Sequence, residues 1–165
     1  MGLGLIDRIR RSHAIEHGTV AVLLERGARP PLGGYGTPGG FFIYGKLSTE
    51  EVASAADEAL RRMQGGERDL AVSPFCGTNL LVGALLMALA VRIAGRVSKQ
   101  RNRRRVPLVA LGVLGSLWLR RPAGAVVQRH FTTLSEVDDV EIIDTTRYQL
   151  AGQTFHRVST RDGSA

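Results

Sequence analysis

The chain has 165 residues and a formal net charge of +7, from 22 Lys/Arg and 15 Asp/Glu. This length allows one domain with a real core, or a small domain with a membrane element, but it excludes two full-sized domains. The charge excess is local, because Arg92 to Arg105 carries seven cations and no acid while the segments on either side are balanced. The single cysteine, Cys76, excludes an internal disulfide.

The first predicted element is a helix over residues 3–26, where apolar residues such as Leu5, Ile15 and Leu23 recur at near-helical spacing before a stop at Gly27. Acidic and basic residues precede any apolar run, so no signal peptide is expected. The following "ARPPLGGYGTPGG" predicts a loop or an irregular edge strand. Its glycines lack the strand-to-helix turn of a dinucleotide fingerprint and indicate a flexible flap or a tight substrate edge.

The next segments predict a sheet and a second helix. "GFFIYGKL" predicts a strand with Phe41 and Ile43 on one face, and Ser48 with Glu51 predicts a capping box that starts a helix. "DLAVSP" predicts another strand. Near the C-terminus, "VEIIDTTRYQ" and "TFHRVST" predict a hairpin that joins the same sheet, with His156 on its surface.

Two uncharged apolar runs lie between these parts, sixteen residues from Cys76 to Val91 and fourteen from Val106 to Leu119. A membrane span needs about 20 residues, and both runs can be extended at their ends. They predict a transmembrane helical hairpin over residues 74–127 with a basic loop at 92–105. The alternative is a pair of buried helices in a soluble, α-rich core. Nucleic-acid binding by "SKQRNRRR" is disfavoured, because apolar segments flank it instead of a folded basic face.

The expected architecture is therefore α+β. Residues 1–73 and 128–165 would form a small α/β sandwich-like domain, and the transmembrane hairpin of residues 74–127 would interrupt it. By the positive-inside rule the basic loop 92–105 would face the cytoplasm. Both termini would then lie on the other side of the membrane.

The candidate site is "HAIEH", residues 13–17. Positions i and i+4 of a helix lie on one face, so His13 and His17 can both direct imidazole nitrogens at one Zn²⁺. Glu16 is placed to activate a water as a general base without binding the metal. The order H-x-x-E-H is that of the inverzincins. The alternative is a polar patch whose side chains face solvent or cap a neighbouring carbonyl.

Two histidines need a third ligand, and two residues are candidates. Cys76 offers a soft thiolate at the start of the first apolar run, and a His₂Cys set leaves a fourth position open for water. The alternative for Cys76 is a small buried residue at a helix start, where Thr78 and Asn79 would serve as caps. His130, just after the second run, is the other candidate ligand.

Residues 13–63 place H-x-x-E-H on a helix, followed by a glycine-containing turn, an aromatic strand and another helix. In this order they resemble the pitrilysin-like zinc peptidases. That family's third ligand is a glutamate on a later helix, which the resemblance would assign to Glu50, Glu51 or Glu58. These glutamates lie nearer to the H-x-x-E-H motif in sequence than the family pattern expects. The chain is also too short for the family's two large domains.

Four motifs, "HAIEHGT", "GFFIYGKLSTEEV", "SPFCGTNLL" and "QRHFTT", occur in this order around the apolar runs. With them nearly the whole chain resembles a family of small bacterial membrane proteins of unknown function. Its members carry H-x-x-E-H-A-T near the start and C-G-T-N before the first membrane segment, and here Gly18 stands where alanine is usual. The resemblance implies placement in the bacterial inner (plasma) membrane and implies no activity.

Two classes of function follow. The first is a membrane-embedded zinc metallohydrolase, a peptidase, in which His13, His17 and either Cys76 or His130 bind Zn²⁺ and Glu16 is the base. The strand "GFFIYG" would bind an extended peptide by edge pairing. The second is a non-catalytic membrane adaptor or scaffold with a structural metal or none. Expected partners are membrane lipids and a peptide or protein, with no nucleic acid.

Overall fold

The computed structural model describes residues 4–97 and 105–163. These residues form a mixed α+β fold with four α-helices and one four-stranded sheet. The α-helices are α1 (Leu5–Glu25), α2 (Thr49–Gln64), α3 (Gly77–Val97) and α4 (Arg105–Val127). The strands are β1 (Gly33–Thr37), β2 (Gly40–Tyr44), β3 (Val140–Leu150) and β4 (Gln153–Asp162).

The chain separates into two compact units. One unit comprises Met1–Ser73 and Arg129–Ala165 and carries the sheet with α1 and α2. The other unit, Pro74–Gln128, carries α3 and α4. A 3₁₀ turn (Arg68–Ala71) precedes the second unit, and a π-helical turn (Gln128–Thr132) follows α4.

The sheet of the first unit is antiparallel throughout, with strand order β1-β2-β4-β3. The predicted C-terminal hairpin is confirmed: β3 and β4 pair across a turn at Ala151 and Gly152, both with positive φ. The glycine-rich segment was expected to be a loop or an irregular edge strand, and it contains the edge strand β1. Strand β2, which carries "GFFIY", lies between β1 and β4. The expectation that its edge binds a peptide is therefore wrong, because both of its edges are already paired.

The core lies on one face of this sheet, against α1 and α2. Phe41, Ile43 and Val158 are completely buried there, as the alternation of the aromatic strand predicts. Helix α2 adds an alanine-rich face and begins at the predicted capping box, in which Ser48 and Glu51 satisfy each other's backbone amides. His156 also faces this core and is completely buried, so its predicted surface position is wrong.

The segment "DLAVSP" begins in the 3₁₀ turn Arg68–Ala71 and forms no strand. Its backbone makes short local hydrogen bonds, from Leu70 N to Glu67 O and from Val72 N to Asp69 O. These bonds satisfy the groups that a sheet partner would otherwise bind. The turn has a further role, because the carbonyl oxygen of Ala71 accepts a hydrogen bond from a histidine of α1.

In the second unit, α3 and α4 pack against each other through small residues. A Cβ on Gly112 would lie 2.6 Å from the Ala90 Cβ, and one on Gly83 would lie 3.1 Å from the Arg120 Cβ. Close approach at small residues is typical of helix pairs in lipid. Large apolar side chains of both helices point outward and are exposed, namely Leu80, Leu81, Leu85, Leu111, Leu114 and Trp118.

Among the described residues one helix is long and apolar enough to cross a membrane, the 20-residue segment Gly77–Arg96 of α3. The predicted hairpin of two membrane helices is thus not reproduced, since Arg120, Arg121 and Pro122 interrupt the apolar sequence of α4. The basic loop predicted at 92–105 is also shorter. Helix α3 continues to Val97, α4 starts at Arg105, and residues 98–104 lie outside the described residues.

Candidate metal centre

Helix α1 brings the three polar residues of "HAIEH" together. Because His13 and His17 are one helical turn apart, their ring centroids lie 4.3 Å from each other with the planes tilted by 59°. His17 and Glu16 are buried, and the His13 side chain is 22% exposed. The polar patch expected as the alternative is therefore not solvent-facing, since two of the three polar groups are inside the protein. Its other expected form, side chains that cap a neighbouring carbonyl, is present, because both histidines bind backbone carbonyl oxygens.

Both imidazoles are held by backbone carbonyls. His13 Nδ1 lies 3.0 Å from the Thr132 carbonyl oxygen, and His17 Nδ1 lies 2.7 Å from that of Ala71. A carbonyl oxygen only accepts, so each Nδ1 carries the proton and donates it. In a neutral imidazole the lone pair is then on Nε2. This arrangement, with Nδ1 donating to a carbonyl and Nε2 directed at the site, is the usual one for metal-binding histidines.

The Glu16 carboxylate lies between the two rings. Its Oε2 is 3.8 Å from His13 Nε2 and 3.8 Å from His17 Nε2. A buried carboxylate is costly unless cationic or donor groups compensate it. The Nε2 atoms of both histidines therefore lie at the same distance from one buried carboxylate oxygen.

Strand β1 packs directly on this part of α1 through two glycines. A Cβ on Gly36 would lie 2.8 Å from the His13 backbone nitrogen, and one on Gly34 would lie 2.8 Å from Glu16 Oε1. Real Cβ contacts are almost never this short, so neither position has room for a side chain. Alternate glycines in a strand allow such an approach of one backbone to another element. The glycines are part of the wall of the site, and the flexible flap expected of them is replaced by a strand.

Cys76 is the third residue of the group. The candidate ligand atoms of His13, His17 and Cys76 all lie within 4.8 Å of one another. Cys76 precedes the first residue of α3, and its sulfur accepts a hydrogen bond from the Thr78 N–H at 3.5 Å. The positive end of the helix dipole favours negative charge on a sulfur at this position. These three residues could bind a metal ion.

The other candidate ligands lie elsewhere in the structure. The side chain of His130 is exposed in the π-helical turn and is not one of this group of three. Glu58 pairs with Arg26, Glu51 caps α2, and Glu50 is on the exposed side of the same helix. The structure gives these glutamates other roles than the third ligand that the pitrilysin resemblance would assign to them.

The remaining histidine, His156, is not one of this group of three. Neither ring nitrogen has a hydrogen-bond partner among the described residues. Burial lowers the pKa of His156 below its ordinary value of 6.5, and the Arg147 cation on β3 lowers it further, whereas Glu50 on α2 opposes the shift. His156 is therefore a neutral core residue.

Sequence reasoning missed two functional elements of the site. The carbonyl acceptors of Ala71 and Thr132 leave no trace in the sequence, because every residue has a carbonyl group. The wall formed by Gly34 and Gly36 does leave one, the alternation of glycines in "GGYGT". That pattern predicts close contact by a backbone once the segment is recognised as a strand.

Comparison with known proteins gives a family and a relative. The family described as Domain of unknown function (DUF6391) matches residues 8–145. An uncharacterized protein of Picosynechococcus sp. is 36% identical over 147 residues, which cover 80% of this chain and 69% of the relative. No solved structure matches the chain significantly. Since the family match spans most of the chain, including His13, His17 and Cys76, this protein belongs to the DUF6391 family.

Proposed function

We propose that this protein is a membrane-embedded zinc metallohydrolase that acts on peptide bonds. His13, His17 and Cys76 would be the zinc ligands and Glu16 the general base. The observation that carries the proposal is the shared orientation of the two imidazoles: both Nδ1 atoms donate to backbone carbonyls, and both Nε2 atoms lie 3.8 Å from one buried carboxylate oxygen.

The donor set favours zinc among the common metals. Imidazole nitrogen and thiolate sulfur are ligands that Zn²⁺ prefers, whereas calcium and magnesium require oxygen ligands. A site with three protein ligands keeps one position open, as catalytic zinc sites do. When bound, the metal would supply Lewis-acid polarisation at that open position.

The protein's own residues would transfer the proton during hydrolysis. Glu16, placed against both rings, accepts a proton from the attacking water as its oxygen bonds to the peptide carbonyl carbon. The same carboxyl group then delivers the proton to the amine as the C–N bond breaks, so one water is consumed and two chain ends are formed. The carbonyls of Ala71 and Thr132 keep both imidazoles in the required tautomer.

We also propose that α3 anchors the site in the bacterial inner membrane. Its length, its apolar composition and its outward-facing leucines support contact with lipid. The cations between Arg92 and Arg105 favour the cytoplasmic side for the segment that joins α3 to α4.

The test is the exchange Glu16→Gln in the full chain, purified without a histidine tag in lipid nanodiscs. We expect the variant to keep about one zinc per chain and to lose hydrolysis of β-casein by roughly 10²–10⁴-fold, the contribution of a general base. Zinc content is measured by mass spectrometry and hydrolysis by the release of new amino groups. Glu141→Gln, an exposed carboxylate on β3, is the matched control and should keep both properties.

Two outcomes contradict the proposal. A wild-type protein without zinc at neutral pH would remove the metal centre. A protein that binds zinc but shows no hydrolysis dependent on Glu16 would have a structural metal site. This result would favour a non-catalytic adaptor that binds a partner protein.

A further inference from the structure

We propose that the substrate is an extended, unfolded polypeptide segment that binds as an added strand along the free edge of β1. This inference rests on the proposed peptidase function and names its substrate class and binding element. Strand β1 is the first strand of the sheet order β1-β2-β4-β3 and pairs with β2 on one side. Within residues 4–97 and 105–163 no strand pairs with its other edge, which can therefore accept a strand from another molecule.

The direction of the β1 backbone groups follows from the turn that joins β1 to β2. Only Pro38 and Gly39 separate the strands, and Thr37 pairs with Gly40. Closure of such a turn makes this pair hydrogen-bonded, and antiparallel pairing alternates from there. Residues 35 and 33 thus direct their backbone groups to β2. The N–H and C=O groups of Gly36 and Gly34 point to the free edge.

The same two glycines contact the candidate site. A Cβ on Gly34 would lie 2.8 Å from Glu16 Oε1, and a Cβ on Gly36 would lie 3.0 Å from the His13 Cβ. An added strand lies about 4.8 Å from its neighbour, so it would run beside the residues that hold the general base. One pair of residues would then bind the substrate backbone and position it against the reacting groups.

The chemistry of this edge sets the selectivity. Glycines offer no side chain for recognition, so Gly34 and Gly36 can bind only the peptide backbone. Tyr35, the residue between them, has its ring stacked on Phe42 at 4.9 Å, on the face of the sheet opposite to α1. Backbone pairing requires an extended segment and is tolerant of its sequence. An unfolded or membrane-released polypeptide fits this edge, and a folded protein surface does not.

Hydrogen exchange of single amides tests this inference without turnover. The zinc-loaded Glu16→Gln chain in nanodiscs is titrated with β-casein, and binding is followed separately by fluorescence anisotropy of labelled casein. We expect the amides of Gly34 and Gly36 to exchange at least tenfold more slowly on binding. The amide of Tyr35, already bonded to β2, should not change. The other edge strand, Val140–Leu150, is the internal control and should also stay unchanged.

Backbone-modified substrates give a second readout. A casein peptide that the wild-type enzyme cleaves is resynthesised with one N-methyl group at each position in turn. Strand pairing predicts that kcat/KM falls roughly tenfold at alternate residues only, the effect of one lost backbone hydrogen bond. A fall without a period of two would contradict edge pairing.

The outcomes separate this inference from the proposed function. Casein bound without slower exchange at Gly34 and Gly36, or with slower exchange at β3, overturns the inference while hydrolysis stands. Absence of casein binding overturns it as well. Loss of zinc or of Glu16-dependent hydrolysis, with β1 still protected by casein, overturns the proposed function and leaves peptide binding at β1.

Discussion

Two buried histidines of the same unit, His17 on α1 and His156 on β4, have opposite surroundings. His17 donates to the Ala71 carbonyl and has Glu16 beside its other nitrogen. His156 is completely buried and has no hydrogen bond from either nitrogen to a described residue. Burial is thus common to both, and polar partners distinguish the histidine of a candidate site from a histidine of the core. The first region, around His17, contains polar and charged partners, whereas the second region, around His156, is an apolar core.

The largest expected effect is the loss of the metal in the first region. His17→Ala removes a proposed ligand, and we expect zinc affinity to fall at least about 100-fold, since loss of an outer partner alone costs 10–100-fold. Competition with a fluorescent chelator measures it. His130→Ala is the matched control, because this histidine is exposed and outside the group. Equal zinc affinity in the two variants would contradict the assignment of His17.

The second effect concerns the space around Glu16. Gly34→Ala would push a methyl group into the Phe42 carbonyl oxygen and the Glu16 side chain. We expect a loss of about 1–3 kcal/mol in the free energy of unfolding, as for overpacked cores. Thermal or urea unfolding measures it. The control is Gly39→Ala, whose Cβ would lie 3.5 Å from Arg157 and should change stability by less than about 0.5 kcal/mol. Similar losses in both variants would show that a methyl group at position 34 is not more crowded than one at position 39.

The smallest effect belongs to the second region. Because the pKa of His156 is lowered, the unfolded chain binds a proton more readily than the folded chain below about pH 6.5. The free energy of unfolding of the wild type is therefore independent of His156 protonation above this pH, and it decreases as the pH falls below it. His156→Leu removes this pH dependence. At pH 8 we expect its free energy of unfolding to be unchanged or higher by about 1 kcal/mol.

Urea unfolding of both proteins at pH 8 and pH 5.5 checks this prediction. The variant should lose less stability than the wild type between the two pH values. The same pH dependence in both proteins would mean that His156 is not a buried neutral group, and the contrast between the two histidines would then fail.

The parts of the fold with strong local signals were predictable. The capping box at Ser48 and the hairpin at Ala151 and Gly152 each depend on residues close in sequence, and the two faces of the aromatic strand follow from alternation. The i, i+4 spacing of His13 and His17 likewise fixes their shared face once α1 is a helix. Cys76 was predicted as a candidate ligand from its chemistry alone.

The parts that depend on distant partners were not predictable. The segment before Cys76 begins with a 3₁₀ turn whose backbone hydrogen bonds are local, and the apolar pattern of "DLAVSP" does not distinguish this turn from a strand. His156 alternates as a surface residue would, yet α2 covers that face of β4. Helix α4 is not among the candidate spans of the described residues, because Arg120, Arg121 and Pro122 follow its apolar run, although that run resembles the one in α3.

The most direct test of the metal centre is X-ray absorption at the zinc edge on the full, zinc-loaded chain. We expect two nitrogen ligands at about 2.0–2.1 Å and one sulfur at about 2.3 Å. In Cys76→Ser the sulfur shell should disappear while the imidazole scattering remains. A zinc shell without sulfur in the wild type, or a shell that is unchanged in Cys76→Ser, would contradict the His₂Cys site.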